Sequence, residues 1–585
     1  LYLHSDRIEP DGEEKIRAQR HPLDRTLLVR VANRRPVSIN FGRSEDYEQR
    51  LDLRSGRLTT RGTVEVEGVR IRCEFVIALS PSGGVLAQTW RCQPDQACVI
   101  ALSNSDAIAL SEPKIYENVF RNGTQMGPEK LEFEVRANES NVVGRVVSLD
   151  GPIESSITPE RVFTASETFW REMWETDIEI EGPVEDQQAI RSWLFYLQAS
   201  IDRQPSNKQS KSVAPMGLSS TVYFGHVFWD ADLWVYPALA LVDPAGATEI
   251  PGYRLRMADQ ARKNFREWVA ADRPVAGRKL GTARPTRPGI KFPWESSVTG
   301  KETVPGPSQY QHHITGTVAF SLNLARILGQ ADPLESQRIL READGFYEAR
   351  SEPGIDGLRH IRDTMSPDEN HIGDDDLYTN LLATWSSHNG RWKPSPSPYA
   401  LPQDDKSFLT YQKDAQKGYK QAAAVLAIYP LQFPAAESQA RVMMDRFADK
   451  VSKNGPAMSD SVHALIWARL GERERAYETW QSSWKDFHFP PHGLFSEKRR
   501  SDRTVFLTGM GGCLQTVIYG LLGFRIDSKP LPDAVWSQKL IGENWLSVKP
   551  NLPPAWKRVT FRNFAVLGQK RTLVATASGA TVTPE

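Results

Sequence analysis

The chain has 585 residues, and its 72 Lys+Arg cancel 72 Asp+Glu to leave no formal net charge. That balance excludes a protein whose task is to coat nucleic acid or an anionic membrane. Charged residues at 25% beside hydrophobic ones at 40% exclude bulk disorder, and the length is that of several domains rather than one. No window approaches the roughly 18 consecutive apolar residues of a membrane span. The N-terminal LYLHSDRIEPDGEEK lacks a basic stretch followed by an apolar core, so no signal peptide is expected in the chain as given. The compartment stays open between cytoplasmic, periplasmic and secreted after signal removal.

The first 150 residues read as strands. Thr26–Val31, Thr63–Glu67, Val69–Ala78, Val85–Cys92, Leu131–Arg136 and Val142–Leu149 are short β-rich runs separated by turns such as DLRSGRL and LSPSGG. No long helical period interrupts them, so an antiparallel sandwich fits better than a parallel sheet with crossover helices. Cys73, Cys92 and Cys98 fall in this region and Cys513 far from it. They form no metal-ligand cluster, and buried free thiols are expected ahead of one disulfide.

From Asp186 the period changes to helices of roughly 10 to 20 residues. Apolar positions at three- and four-residue spacing mark DQQAIRSWLFYLQASI, LWVYPALAL, YRLRMADQARKNFREWVAA, HHITGTVAFSLNLARIL, PLESQRILREADGFYEAR and LYTNLLATWSSHN. The series continues with YKQAAAVLAIYP, AAESQARVMMDRFADKV, SDSVHALIWARLG, ERERAYETWQSSWKDF and GGCLQTVIYGLLGF. These are about eleven helices, close to the twelve of a barrel built from six helical hairpins. An open superhelix has similar periodicity, but no motif repeats at fixed spacing, so a closed barrel is expected. After Arg525 strands return, with VTFRNFAVLG and RTLVATA as a small hairpin. The expected fold is multidomain and mainly α: a β-sandwich over 1–155, a linker over 156–190, an (α/α)6 barrel over 191–527 and a small β unit over 528–585.

The 16 Trp, several beside carboxylates (FWDADLW, PWESS, GENWL), suggest a sugar site, where an apolar plate meets a ring face and acidic groups take hydroxyls. Capped core packing gives the same pairs. Three loops carry such groups. In GHVFWDADLWVYP, residues 225–237, Asp230 and Asp232 stand between Trp229 and Trp234, as sugar ligands or as a helix cap; Tyr253 and Arg254 could extend that site. In KFPWESSVTGKETVP, residues 291–305, Pro293, Gly300 and Pro305 fix a loop that exposes Trp294, Glu295 and Glu302, or a plain charged surface loop. In DTMSPDENHIGDDDLYTN, residues 363–380, five aspartates surround Glu369. The ligand order does not fit an EF-hand, a solvated acidic face is the bland alternative, and a carboxyl crowded by negative charge suits a general acid. A fourth candidate is Glu497, which suits a base if Arg499 and Arg500 fold inward, or belongs to a basic surface patch if they point out.

No HExxH, phosphate-loop or GxSxG motif occurs, so metal, nucleotide and serine-triad chemistry start low, and a carboxylate pair points to glycoside chemistry. No cofactor or metal is expected, nor a nucleic-acid or membrane partner. A sugar-binding module without catalysis and a helical scaffold are the non-enzyme alternatives.

Taken together, VFWDADLWVYP, FPWESSVTGKE, SPDENHIGDDDLYTN and YKQAAAVLAIYP resemble the signature segments of glycoside hydrolase family 65. That family holds maltose, trehalose and kojibiose phosphorylases, acid trehalases and related α-glucoside hydrolases. The resemblance implies that Glu369 is the general acid. It also implies that Trp229, Asp230, Trp294, Glu295, Lys420 and Gln421 line the subsite for the non-reducing glucose. Two departures bear on sugar preference: Asn370 replaces the usual aromatic of the acid loop, and Ala423 replaces the aspartate of a KQAD-type helix start. LFSEKRRSDRTVFLTGMGGCLQ, residues 494–515, resembles the branch that hydrolyses collagen-type glucosyl-galactose and kojibiose. By that match Glu497 is the general base of an inverting exo-acting α-glucosidase, with α-1,2 linkages ranked first. The counter-reading is an inverting phosphorylase, with the amides of Thr508, Gly509 and Gly511 holding phosphate at a helix N-terminus. The acceptor wall is expected from the loops 281–290, 301–308 and 388–406, with Arg284, Arg287, His388 and Trp392. The substrate expected is an α-glucosyl disaccharide or glucoside, and the assembly a monomer or homodimer.

Overall fold

The computed structural model describes residues 2–8, 16–22, 27–44, 46–81, 84–102, 116–126, 132–148, 151–203, 212–217, 219–220, 222–271, 286–393, 396–526 and 546–585. They fall into two compact units, one built chiefly from residues 17–175 and the other chiefly from 176–202 and 207–585.

The first unit is mostly antiparallel β. Its strands are β1 (Tyr2–Ile8), β2 (Ile16–Pro22), β3 (Leu27–Arg30), β4 (Val37–Ser38), β5 (Glu48–Asp52), β6 (Arg57–Val66) and β7 (Val69–Leu79). There follow β8 (Val85–Pro94), β9 (Cys98–Leu102), β10 (Tyr116–Arg121), β11 (Thr124–Gln125), β12 (Glu132–Val135) and β13 (Asn141–Ser148). A seven-stranded sheet runs β11-β10-β13-β8-β7-β6-β5, and a four-stranded sheet runs β12-β9-β3-β4. Alternation does the sorting: Val69, Ile71 and Cys73 point inward while Arg70 and Arg72 point out. The inward residues of both sheets, among them Val29, Ile71, Trp90, Ile100 and Phe133, form one core, so the expected sandwich is present. All four cysteines are buried free thiols, and Cys73 and Cys92 face each other across β7 and β8 with sulfurs 3.8 Å apart.

Helix α1 (Pro159–Met173) covers the outer face of the larger sheet. Thr158 caps it by accepting from Arg161 N, Pro159 occupies its first turn, and Val162 packs with Ala87, Phe120 and Val146. Gly144 admits this helix, since a Cβ there would lie 2.9 Å from Pro159 Cγ.

The second unit is helical. Its principal helices are α2 (Val184–Ala199), α3 (Tyr236–Leu239), α4 (Glu249–Arg256), α5 (Ala258–Ala270), α6 (His313–Ile327), α7 (Pro333–Arg350) and α8 (Leu377–Ser387). They continue with α9 (Ala440–Phe447), α10 (Ser459–Arg469), α11 (Arg473–Trp484) and α12 (Leu507–Gln515). A wide turn, Ala231–Val235, leads into α3, where Pro237 lacks an N–H to donate. The segment 231–239 packs on α6, α6 on α8, and α8 on a tight turn at Ala424–Ala427. Ala422 N donates to Ser459 Oγ at the start of α10 (2.8 Å), α10 packs on α12 and its extension Thr516–Leu521, and α12 returns to the segment 231–239. Helix α8 is buried on every face from Leu377 to Ser386, whereas α11 buries only Ala476, Trp480, Ser483 and Trp484. That is the difference between an inner helix and an outer, amphipathic one.

The sequence expects a helix over 419–430, and the structure corrects this to an extended approach ending in the turn Ala424–Ala427. Lys420 N is tied to the Asp368 carboxylate and Ala422 N to Ser459, and the chain leaves helical geometry at Ala423, with φ -134 and ψ -78.

At the C-terminal end, Arg558–Val566, Gln569–Thr576 and Gly579–Pro584 form a meander completed by Asp177–Glu181. The expected hairpin is there, enlarged to four strands around Phe561, Phe564 and Leu573. Residues 527–545 lie outside the described residues. No described helix is long and apolar enough to cross a membrane.

Candidate active site

Asp230 opens the wide turn before α3 and is 7% exposed. Its Oδ2 accepts a hydrogen bond from Thr508 Oγ1, in the first turn of α12, at 2.7 Å. Burial pushes its carboxyl up to about 7; the Thr508 hydrogen bond opposes this, and the negative charges of Glu369 and Glu497 add to it. Glu369 and Glu497, from segments far apart in the chain, thus both act on buried Asp230.

Asp232, two residues on, belongs elsewhere. Arg254 grips it through Nε and Nη2, the latter at 2.6 Å, with both side chains 1% exposed, and the same guanidinium donates to Phe228 O at 3.1 Å. Tyr253 OH is bound to Ser296 Oγ (2.8 Å) and Ser297 O (2.6 Å). Asp232, Tyr253 and Arg254 are thus not the sugar ligands the sequence suggests; they lock the wide turn onto the 291–305 loop. Arg254→Met should leave Asp232 buried and unpaired and cost about 3–5 kcal/mol, measurable as a lower denaturant midpoint at unchanged slope.

The same loop is less exposed than expected. Glu302 closes it by accepting from Trp294 N (2.8 Å), Val304 N (3.2 Å) and Glu295 N (3.3 Å). Glu295 is buried against His226 Nδ1, and Trp294 is half-buried with its edge toward Phe228. Trp229 is only 1% exposed, with its ring enclosed by Trp234, His313 and Tyr378. Enclosed in this way it offers no open face for stacking, a correction to its reading as an apolar plate. Trp234 is buried as well.

In the third loop Asp368, Asp374, Asp375 and Asp376 each have a structural partner. Asp374 lies 3.3 Å from Arg362, Asp375 binds His360 (2.8 Å) and Ile361 N (2.9 Å), and Asp376 caps α8 through Thr379 N (2.8 Å). Asp368, fully buried, accepts from His371 and from Lys420 N. Glu369 sits at φ 62, a left-handed conformation that costs a non-glycine residue on the order of 1 kcal/mol. Its Oε2 meets Lys420 Nζ at 2.6 Å, and Gln421 Nε2 binds Pro367 O. Lys420 and Gln421, expected in the glucose subsite, here clamp the loop of Glu369.

Glu497 is half-buried and accepts from Tyr223 OH at both oxygens, at 3.0 and 3.2 Å. Arg499 and Arg500 do not fold onto it: Arg499 binds Asp460 (2.6 Å) and Arg500 binds Asp486 (3.0 Å). Tyr223 is a neighbour of Glu497 that the sequence reading missed; its only signal was its place just before GHVFWD. The glycines of α12 serve close packing. A Cβ at Gly511 would lie 2.5 Å from Trp234 O, one at Gly512 2.6 Å from Ser461 Oγ, and one at Gly509 2.5 Å from Phe495 Cε1.

Arg287 and Trp392, expected in an acceptor wall, have partners of their own. Arg287 pairs with Asp344 (2.8 Å) on α7, Trp392 Nε1 donates to Leu431 O (2.9 Å), and burial lowers the pKa of His388. Arg284 lies outside the described residues. A cavity of about 990 Å³ between the end of α6 and the C-terminal strands, lined by Leu328, Gln330, Phe564 and Leu567, touches none of these carboxylates. Among the described residues no group of three His, Cys, Asp or Glu side chains is placed to hold a metal ion.

Comparison with known proteins defines the class. The family model described as "Glycosyl hydrolase family 65 central catalytic domain" matches residues 191–391. That segment carries Trp229, Asp230, Trp294, Glu295 and Glu369, and the family whose model it matches is the one that the sequence resemblance implied. Lys420, Gln421 and Glu497 lie beyond it. The chain is 29% identical over 430 residues to a kojibiose hydrolase of Flavobacterium johnsoniae, covering 70% of this chain and 58% of that protein. It is 30% identical over 430 residues to a protein-glucosylgalactosylhydroxylysine glucosidase of Mus musculus, covering 67% of this chain and 59% of that one. The matches thus span somewhat under three-fifths of these curated relatives, at 58% and 59%. The fold is like that of a solved structure titled a putative kojibiose phosphorylase from human microbiome, with TM-score 0.75, 14% identity, and coverage of 100% of this chain and 89% of that one.

Proposed function

We propose that the protein is an inverting, exo-acting α-glucoside hydrolase that releases β-glucose from the non-reducing end of an α-linked glucosyl disaccharide or conjugate. The observation that carries this reading is the joint placement of Glu369 and Glu497 around Asp230, whose carboxyl both charges act on, with Tyr223 hydrogen-bonded to Glu497. Protonated Glu369 gives its proton to the glycosidic oxygen as the bond to the anomeric carbon breaks. Glu497 takes a proton from a water that attacks the opposite face, and the configuration inverts. Inversion asks for roughly 6.5–9.5 Å between the two carboxyl groups, room for one water. Asp230, Trp294, Glu295 and Gln421 define the glucose subsite, with Trp229 as its wall. Lys420 passes from Glu369 to a sugar hydroxyl in the complex, which frees Glu369 to carry its proton. The ring of inner helices described above supports a closed (α/α)6 barrel, with these loops gathered at one end.

Three features favour hydrolysis over phosphorolysis: a glutamate at 497, its Tyr223 hydrogen bonds, and glycines of α12 that are filled by packing. The names of the two curated relatives support an α-1,2 preference, as in kojibiose or the collagen glucosyl-galactose unit. The test is incubation with kojibiose, glucosyl-galactose, nigerose, trehalose and maltose, with and without phosphate, following product anomers by NMR. Free β-glucose without phosphate is expected. Phosphate-dependent β-glucose 1-phosphate would overturn the hydrolase reading, and a preference for α-1,4 or α-1,1 linkages would overturn the ranking alone.

A further inference from the structure

Tyr223 stands in an unusual backbone. Tyr223, Phe224 and Gly225 are three successive residues in the left-handed region, with φ of 59, 49 and 72. For two of them the side chain makes this conformation unfavourable, and such a run persists only where its surroundings over-determine it. Here they do. The Tyr223 ring meets Phe228 edge-on at 5.2 Å, Phe224 lies 5.8 Å from His226, and His226 N donates to Tyr223 O at 2.8 Å. Phe228 and His226 are in turn held by Arg254 and Glu295. The outcome of this bracing is a phenol whose hydroxyl spans both oxygens of Glu497. That hydroxyl stays a donor, because burial, followed by the charges of Glu497, Asp230 and Glu369, moves its pKa well above the ordinary tyrosine value.

We propose that Tyr223 is a positioning residue for the water-activating base: it pins the Glu497 carboxylate in the orientation that faces the attacking water. The proposal rests on Glu497 being the base. A glutamate can rotate about three side-chain bonds, and a donor shared between its two oxygens removes that freedom. Tyr223 keeps its own proton throughout; the proton of the water goes to Glu497.

The test compares Tyr223→Phe, Glu497→Ala and the double variant on an α-glucosyl disaccharide, with and without sodium azide. Tyr223→Phe is expected to lower kcat about 10- to 100-fold with KM within about twofold. With Glu497→Ala, azide forms the bond to the anomeric carbon while the leaving oxygen takes its proton from Glu369, giving β-glucosyl azide. Because Tyr223 acts through Glu497, adding Tyr223→Phe should leave both the residual hydrolysis and the azide product of Glu497→Ala unchanged. If the second substitution lowers those rates by the factor seen with Glu497 present, Tyr223 acts on substrate or fold and the proposal fails. Wild-type kcat in Tyr223→Phe also overturns it. Full hydrolysis by Glu497→Ala is a different failure, that of the base assignment beneath it.

Discussion

Glu369→Gln and Glu497→Gln should each fold like the wild type and lose turnover by about 10²- to 10⁴-fold. Both replacements keep the volume and an acceptor oxygen. In Glu497→Gln the new amide can still receive the Tyr223 hydroxyl, and in Glu369→Gln it can still turn its carbonyl to Lys420. What each variant lacks is the proton exchange. An amide at position 369 has no acidic proton to give the leaving oxygen, and an amide at position 497 cannot take one from water. Thermal unfolding should therefore match wild type within a few degrees while kcat collapses. Either variant retaining near wild-type kcat removes that residue from the mechanism.

Asp230→Asn should lose activity and gain stability at once. In the unfolded chain Asp230 ionises at the ordinary carboxylate value, but in the fold its carboxyl titrates at about 7. Between those values the folded state holds a proton that the unfolded state has released, so stability falls as pH rises from about 4 to about 7. The difference amounts to on the order of 4 kcal/mol once the group is fully ionised. Asparagine removes that penalty and keeps an acceptor for Thr508. The variant should melt no higher than wild type near pH 4 and clearly higher at pH 8. Its kcat/KM should fall about 10²-fold, because hydrogen bonds to a charged group at the glucose ring are lost as it flattens. Equal melting curves at pH 8 would contradict the burial argument, and wild-type kcat/KM would contradict the sugar-binding role.

The repeating patterns were legible because burial imposes them. Alternation marked β6, β7 and β8, and three- and four-residue spacing marked α6, α7, α8, α10 and α11, each of which forms close to where its apolar residues recur. The alanines of 419–430 favour a helix, but contacts with Asp368 and Ser459 from other parts of the chain fix its approach and Ala423 leaves helical geometry. Candidate residues were found through motifs, but their partners were not. Nothing local distinguishes Asp230, on which the charges of Glu369 and Glu497 act, from Asp232, which Arg254 neutralises. Likewise Arg499 and Arg500 lie beside Glu497 in sequence yet turn to Asp460 and Asp486, whereas Tyr223, 274 positions away, supplies the hydrogen bond. Long-range pairing of this kind is set by tertiary packing and leaves no periodic trace.

The burial of α12, of nearly all of α8 and of most of α6 has a consequence for amide exchange. An amide in α6, α8 or α12 reaches solvent only when the ring opens as a whole, so these helices should share one slow exchange rate tied to global unfolding. The turn 222–225 and the loop around Glu369 hang between them on side-chain hydrogen bonds, and can open without disturbing that ring. A bound glucose, by tying Asp230 and Gln421 to one ligand, should slow exchange in those loops while leaving the rate of the inner helices nearly the same.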